Sequence, residues 1–211
     1  MNKLEGKNLS FSYNRRNILH HVDFEVAAGE CVGLLGDSGT GKTTLGRLLA
    51  GYEWPSEGEI LVDGKPLSMR GFCNVQLIGQ HPQLAFDERM KMGQALKETG
   101  MDPTHNQDTL DLVGIKSEWL DRYPIELSGG ELQRFCIARA LNRQTKYLIA
   151  DEMSAMLDAI TQAQLWNLLL QLMKERNLGI VMITHNEALA AKVCNRIVRI
   201  NELKKKGLSE K

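Results

Sequence analysis

Gly36-Asp37-Ser38-Gly39-Thr40-Gly41-Lys42-Thr43 follows the pattern GxxxxGK[ST], and its flanks give it a structural context. Before it, Cys31-Val32-Gly33-Leu34-Leu35 is a short run, apolar on both faces, which predicts a buried parallel strand ending at a glycine. After it, Leu45, Leu48 and Leu49 recur at helical spacing. Strand, glycine-rich loop and helix in that order make a phosphate cradle. Backbone N–H groups converge on phosphate oxygens only where bulky side chains do not intrude, so glycines recur. The helix beginning near Lys42 adds the positive end of its dipole. Lys42 is placed to neutralise the β- and γ-phosphates, and the Thr43 hydroxyl to ligate Mg2+. The competing reading, an ordinary glycine turn, has this context against it.

Kinases, GTPases and many ATPases share such a loop, so the rest of the chain must decide. Tyr147-Leu148-Ile149-Ala150 is an apolar strand ending in two acids. Asp151, at the strand's end, can hold Mg2+ through its water shell, and Glu152, pointing differently, can polarise an attacking water. Strand-then-acid is common at loop starts; paired with the phosphate cradle, ligation becomes the better reading. Ile180-Val181-Met182-Ile183 is a further buried strand, followed by Thr184-His185. A histidine at a strand end is usually structural. Here the next core strand would bring His185 to the same sheet edge, as a hydrogen-bond partner for the γ-phosphate and the water.

The remaining pattern organises the chain around these sites. Leu9, Phe11 and Tyr13 share one face and Val22, Phe24 and Val26 another, with Asn14-Arg15-Arg16-Asn17 between them. This predicts antiparallel strands joined by a polar turn. His20-His21 reads as a solvated turn. Glu59 to Lys65 reads as a strand entering a turn at Asp63-Gly64. From about Gln80 to Gln133, Pro82, Pro103 and Pro124 punctuate polar helix-forming stretches and strand signals vanish, which predicts a helical insertion. Leu165, Leu168, Leu169 and Leu172 make a packing stripe, and Arg196 to Ile200 a last strand before the frayed tail Lys204-Lys205-Lys206. Alternating buried strands and helices imply an α/β fold with a mainly parallel sheet.

Composition bounds the function. The 211 residues suit one domain, and apolar and charged fractions of 43% and 25% are those of a soluble globular protein. Lys+Arg and Asp+Glu balance at 26 each, which weighs against nucleic acid as a partner. No run approaches the roughly 18 apolar residues of a membrane helix. Met1-Asn2-Lys3-Leu4-Glu5 leads into no apolar signal segment, so the chain is expected in the cytosol, touching a membrane only through partners. Cys31, Cys73, Cys136 and Cys194 form no CxxC pair and read as small buried apolar residues. No histidine pair has the HxxxH spacing of a zinc site.

Leu127-Ser128-Gly129-Gly130-Glu131-Leu132-Gln133-Arg134 resembles the signature motif of ABC ATPases. Physically it is a second nest: a hydroxyl and bare amides at a helix N-terminus. A serine cap alone explains part of it, but not a second such nest far from the first. The resemblance implies a P-loop NTPase with a RecA-like core, an antiparallel β-subdomain and a helical insertion. It places the core in 1–80 and 136–211 and the helical subdomain at about 81–135. It implies ATP and Mg2+ as ligands, with Gly36, Asp37, Ser38, Gly39, Thr40, Gly41, Lys42, Thr43 and Thr44 around the phosphates. Tyr13 resembles the aromatic that stacks on adenine; a core tyrosine is its rival reading. Gln80, in Ile78-Gly79-Gln80-His81-Pro82, resembles the glutamine that touches Mg2+ and senses the transporter. Asp151 and Thr43 complete the Mg2+ set, and Glu152, His185, Lys42 and Gln80 the catalytic set. Ser128, Gly129, Gly130 and Glu131 would close over ATP held by a second subunit. Ala155-Met156-Leu157-Asp158 occupies the D-loop, where Ala155 replaces a common serine and removes a possible bond across the dimer.

A finer resemblance joins Arg122 to Ser128, Gln162 to Leu165 and Val75 to Gln80 to the peptide and nickel importers. It implies a second ATPase subunit, identical or different, two transmembrane permease subunits and, indirectly, a substrate-binding protein. The chain would then sit on the cytoplasmic face of the membrane through the permeases. The stretch from Gln80 to about Leu96 would receive a permease helix, with Phe86 or Met90 at the contact. A soluble ABC ATPase of DNA repair or translation is the alternative; the coiled-coil insertion or tandem cassettes usual there are not seen.

Overall fold

The structure, a computed structural model, describes residues 2–14, 16–68, 70–155 and 157–209. Met1 of the opening run, Arg15 of the first turn and Met156 of the D-loop lie outside the described residues. The chain divides into two compact units, one comprising Met1–Leu77, Thr145–Asp151 and Leu172–Lys211, the other Ile78–Gln144 and Glu152–Gln171.

The strands are β1 Lys3–Tyr13, β2 Arg16–Ala27, β3 Cys31–Leu35, β4 Glu57–Val62, β5 Lys65–Pro66, β6 Val75–Ile78, β7 Tyr147–Asp151, β8 Gly179–Thr184 and β9 Arg196–Arg199. The helices are α1 Lys42–Leu49, α2 Met92–Glu98, α3 Gln107–Val113, α4 Gly129–Ala140, α5 Ala159–Arg176, α6 Glu187–Val193 and α7 Ile200–Ser209. In the first unit one sheet runs β2-β1-β4-β5, with antiparallel pairing. The other runs β6-β7-β8-β3-β9, and β7, β8, β3 and β9 pair in parallel. Every residue of β3, β7 and β8 is buried, as continuous apolar runs require when both faces are covered. Helix α1 lies directly on this sheet. A Cβ on Gly46 would meet Ile183 Cδ1 at 2.8 Å and Ile149 Cγ2 at 3.1 Å, so only glycine permits the approach. Leu45, Leu48 and Leu49 are fully buried in one core with Leu4, Val32, Ile149 and Ile200.

The second unit is helical. Besides α2, α3, α4 and most of α5 it has short 3-10 turns at Pro82–Ala85, Ser117–Trp119 and Pro124–Glu126. Helix α4 organises it. Arg134 Nη1 donates to the Val113 carbonyl at the end of α3 at 2.6 Å, and Arg139 Nη1 to the Ala85 carbonyl. The Arg139 guanidinium also lies 5.6 Å from the Phe86 ring centre.

Several sequence expectations change. Arg16 and Asn17, expected in the polar turn, belong to β2 and pair with Tyr13 and Ser12. His20-His21 lies within β2, where the two residues bulge opposite Ser10; His21 takes φ 47°, its N–H donates to Ser10 Oγ at 3.1 Å and its ring meets Asn8 Oδ1 at 2.8 Å. Val75–Ile78 is a strand that only the resemblance had touched. Ile200 is not the last strand residue but the buried start of α7, which packs on β2, so the lysine-rich tail is helical. Phe86 is buried, whereas Leu84, two residues earlier, is 81% exposed. The Asp63-Gly64 turn forms as expected, with φ of 54° and 77°.

Candidate functional site

Strand β3 ends at Leu35 and the chain enters a loop whose glycines do distinct work. Gly36 has φ 154°, and a Cβ there would come within 2.6 Å of Ile200 Cγ2. Gly41 has φ 101° and its Cβ would meet Ile18 Cγ2 at 3.0 Å. Gly39 has φ 77° with open space around it. Left-handed φ at Gly39 and Gly41 is unfavourable for any residue with a Cβ. The loop is pinned by Thr40 Oγ1 donating to the Asp37 carbonyl at 2.7 Å, while Asp37, Ser38 and Gly39 at its tip are exposed.

Helix α1 starts on Gly41, with no side chain capping it and no acid in its first turn. Its N-terminal dipole end is thus not met by a carboxylate from its own first turn. Lys42 is 6% exposed, and its ammonium donates to the carbonyls of Gly36 at 2.7 Å and Asp37 at 2.9 Å. The loop therefore holds the cation at its own mouth. Thr43 is exposed and Thr44 buried, so only the first presents its hydroxyl outward.

Parallel register aligns the other strand ends with this loop. Leu35 pairs with Thr184, and Asp151 with Ile183, so Gly36, Asp151 and His185 all leave the same edge of the sheet. Asp151 is 7% exposed. His185 is exposed on a short connection held on both sides: Asn186 N–H donates to Thr184 Oγ1 at 3.0 Å, and Asn186 Oδ1 caps α6 through Leu189 N–H at 3.0 Å. Asn186 was not singled out from the sequence, although Asn before Glu187-Ala188-Leu189 is a helix-start signal. Tyr13, at the end of β1, is 38% exposed, donates its hydroxyl to Glu53 Oε1 at 2.9 Å and meets the Phe11 ring edge-on at 4.7 Å. It is not a core tyrosine.

The second unit carries the remaining residues. Gln80 is exposed just after β6. Glu152 is half-buried with φ 47°, and its carbonyl accepts from Ala155 N–H at 3.0 Å. Such a φ on a carboxylate residue is a costly conformation, of the kind that collects at functional turns. Ser128 caps α4 reciprocally with Glu131: Ser128 Oγ accepts from Glu131 N–H at 3.3 Å, and Glu131 Oε2 accepts from Ser128 N–H at 2.7 Å. The hydrogen bond from Ser128 N–H holds the Glu131 carboxyl below its ordinary value. Gly129 faces open space. Asp158 opens α5, accepting from Ile160 N–H and Thr161 N–H at 3.0 Å and from Thr161 Oγ1 at 2.6 Å. Sequence reading missed Ser154, which is buried and takes hydrogen bonds from Gln162 Nε2 and Trp166 Nε1, both at 3.1 Å. It ties the D-loop to α5, so the loss of a serine at Ala155 leaves that anchor in place.

The parallel sheet, the glycine loop and the helix that follows it define a P-loop NTPase fold, and comparison with known proteins gives the family. Residues 19–155 match the family model described as ABC transporter. The oligopeptide transport ATP-binding protein OppF of Streptococcus mutans is 36% identical over 92% of this chain and 70% of its own length. The nickel import ATP-binding protein NikE of Brucella suis is 38% identical over 89% of this chain and 77% of its own. The sulfate/thiosulfate import protein CysA of Pseudomonas putida is 36% identical over 94% of this chain and 64% of its own. Among solved structures, cbiO1 from Clostridium perfringens, part of the ABC transporter complex cbiONQ, superposes with a TM-score of 0.79 at 25% identity over 93% of this chain and 83% of that one. The dimeric ABC transporter cassette MJ0796 shares the fold at TM-score 0.79 and 22% identity, covering 93% of each chain. The chain belongs to the ABC transporter family, as one of its ATP-binding ATPase subunits.

Proposed function

We propose that this chain energises an importer, binding ATP with Mg2+ on its own phosphate loop and hydrolysing it under a second ATPase subunit. The observation that carries the reading is the shared sheet edge: parallel register sends Gly36, Asp151 and His185 to one side. The cradle suits phosphate because Gly39 and Gly41 take left-handed φ that a Cβ would strain, and α1 opens uncapped just before Lys42. Among the described residues no group of three or more His, Cys, Asp or Glu could hold a metal. A hard ion would draw on the exposed Thr43 hydroxyl, Asp151 and Gln80, with phosphate oxygens and waters supplying the rest, which suits Mg2+. When bound, Mg2+ neutralises charge building on the phosphate oxygens. Lys42 exchanges one or both loop carbonyls for the β- and γ-phosphates. Glu152 takes the proton of the attacking water, and His185 hydrogen-bonds the γ-phosphate. Tyr13 offers its exposed ring to the adenine. Ser128, Gly129, Gly130 and Glu131 serve the nucleotide of the partner subunit, with Asp158 positioning the loop beside it.

The relatives supply the finer reading. OppF and NikE carry oligopeptide and nickel in their names, so a peptide, nickel or a related small solute is the proposed cargo, chosen by two permeases and a substrate-binding protein. Among the described residues no helix is long and apolar enough to cross a membrane. Attachment at the cytoplasmic face is therefore proposed through the permeases. The 3-10 turn Pro82–Ala85 offers Leu84 to them instead of Phe86. A cysteine at Leu84 is expected to crosslink to a permease loop and one at Phe86 to fail; the reverse result would return the contact to Phe86.

Glu152→Gln tests the chemistry. It keeps shape and hydrogen bonding but cannot accept a proton. In the assembled complex, turnover should fall about 10²–10⁴-fold while ATP binding survives. Wild-type turnover in this variant would remove Glu152 from the role and leave His185 as the candidate base.

A further inference from the structure

The four cysteines are far apart in sequence, yet two of them meet in space. Cys31 opens β3 and is fully buried; Cys194 ends α6 and is half-buried. Their sulfurs lie 3.7 Å apart, with the Cys31 thiol donating to Cys194. Cys194 occupies the space above Gly33, where a Cβ would stand 3.1 Å from its sulfur. The backbone beside the pair is already fixed. Asn195 N–H donates to the Cys31 carbonyl at 2.8 Å, and Cys31 N–H donates to Asn195 Oδ1 at 2.7 Å. These bonds hold the two segments side by side, and the sulfurs have from 3.7 Å to about 2.05 Å to close.

We propose that Cys31 and Cys194 are a modification site, an oxidisable pair that a hydroperoxide closes to an intrachain disulfide and a small thiol reopens. The two sulfurs are not equivalent. The hydrogen bond from Cys31 lowers the pKa of Cys194 below that of an ordinary thiol, while the same bond and burial raise that of Cys31. Cys194 is also the more exposed, so it is the first nucleophile. As a thiol it donates to Met182 Sδ at 3.6 Å, a bond it gives up on losing its proton. Its thiolate attacks one peroxide oxygen; the O–O bond breaks, and the other oxygen leaves with a proton as alcohol or water. Cys194 becomes a sulfenic acid. The Cys31 sulfur then attacks the Cys194 sulfur, the S–S bond forms, and the Cys31 proton leaves with the hydroxyl as water. One hydroperoxide is reduced by two electrons and each sulfur contributes one. The bond would tie the start of the strand that runs into Gly36 to the end of the helix that follows His185.

The other cysteines differ in setting. Cys73 Sγ faces the Ala50 carbonyl at 4.0 Å and Cys136 Sγ the Pro82 carbonyl at 3.9 Å, and burial pushes Cys136 up to about 12. The test treats the folded full chain, carrying Cys73→Ser to prevent cross-chain bonds, with hydrogen peroxide, then denatures it and counts thiols. The expected product has lost two thiols, is lighter by two hydrogens, yields one linked peptide containing Cys31 and Cys194, and reverts with dithiothreitol. In Cys31→Ser, Cys194 should stop at the sulfenic acid and take a dimedone label. In Cys194→Ser, Cys31 should stay unreacted. Full thiol recovery after native treatment, or Cys31 oxidising as fast without Cys194, would overturn the pair. Should either serine variant not fold, peptide mapping of the Cys73→Ser protein decides alone.

Discussion

Helices α1 and α4 both begin at glycine-rich sequence, and their first turns are built in opposite ways. Helix α1 starts on a left-handed Gly41 with no side-chain cap and no acid in its first turn; a lysine follows immediately. Helix α4 starts on Ser128, which is capped reciprocally by the Glu131 carboxylate. The first end meets no carboxylate of its own first turn, whereas the second has the Ser128 and Glu131 N–H groups bonded within its own turn and carries a negative charge. Glycine and a hydroxyl at a helix start thus do not by themselves make a site that holds phosphate unaided. On the proposed reading α1 binds the chain's own nucleotide, and α4 becomes a phosphate contact only when a partner brings one.

Glycine substitutions break the comparison most sharply. Gly41→Ala forces a Cβ into φ 101° and to 3.0 Å from Ile18. It should cost about 1–3 kcal/mol of stability. Gly129 is helical and faces open space, so Gly129→Ala should leave stability unchanged or raise it by up to about 1 kcal/mol. Urea unfolding of both variants checks this. Equal losses would mean that the two loops share one conformational constraint.

A smaller effect probes the acid at α4. The folded Glu131 carboxyl sits below its ordinary value of 4.5, so its contribution is present above that value and is lost as pH falls through the lowered folded one. Glu131→Gln can keep the cap geometry without the charge. Wild type should therefore lose about 0.5 kcal/mol more than the variant as pH drops below 4.5. Parallel unfolding curves from neutral to acidic pH would show that the carboxylate does not stabilise the helix start.

The two ends also differ in how legible they were. The phosphate loop could be read because its chemistry is local: glycines, lysine and threonine act from consecutive positions, between an all-apolar strand and a leucine stripe. That β3, β7 and β8 are buried strands of a mainly parallel sheet followed from their uniformly apolar runs; their order in it did not. What the sequence hid is set by contacts distant in the chain. Phe86 looked like a surface contact until Arg139 and its burial placed it inside the helical unit. His20-His21 looked like a turn because a bulge opposite Ser10 carries no distinctive apolar pattern. The Cys31–Cys194 pair was invisible because the register that joins the ends of β3 and α6 cannot be read from spacing. Ser154 was overlooked because its partners, Gln162 and Trp166, lie on the next helix.

The central claim is that α1 holds this chain's nucleotide and α4 does not. It is tested most directly by ATP affinity in the isolated chain, at a concentration too low for subunits to pair. Lys42→Ala removes a cation at the phosphates and should weaken binding by about 1.5–3 kcal/mol, roughly 10–150-fold. Ser128→Arg should leave that affinity unchanged while abolishing turnover at the composite site of a mixed dimer. A loss of monomer affinity in Ser128→Arg equal to that in Lys42→Ala would contradict the account.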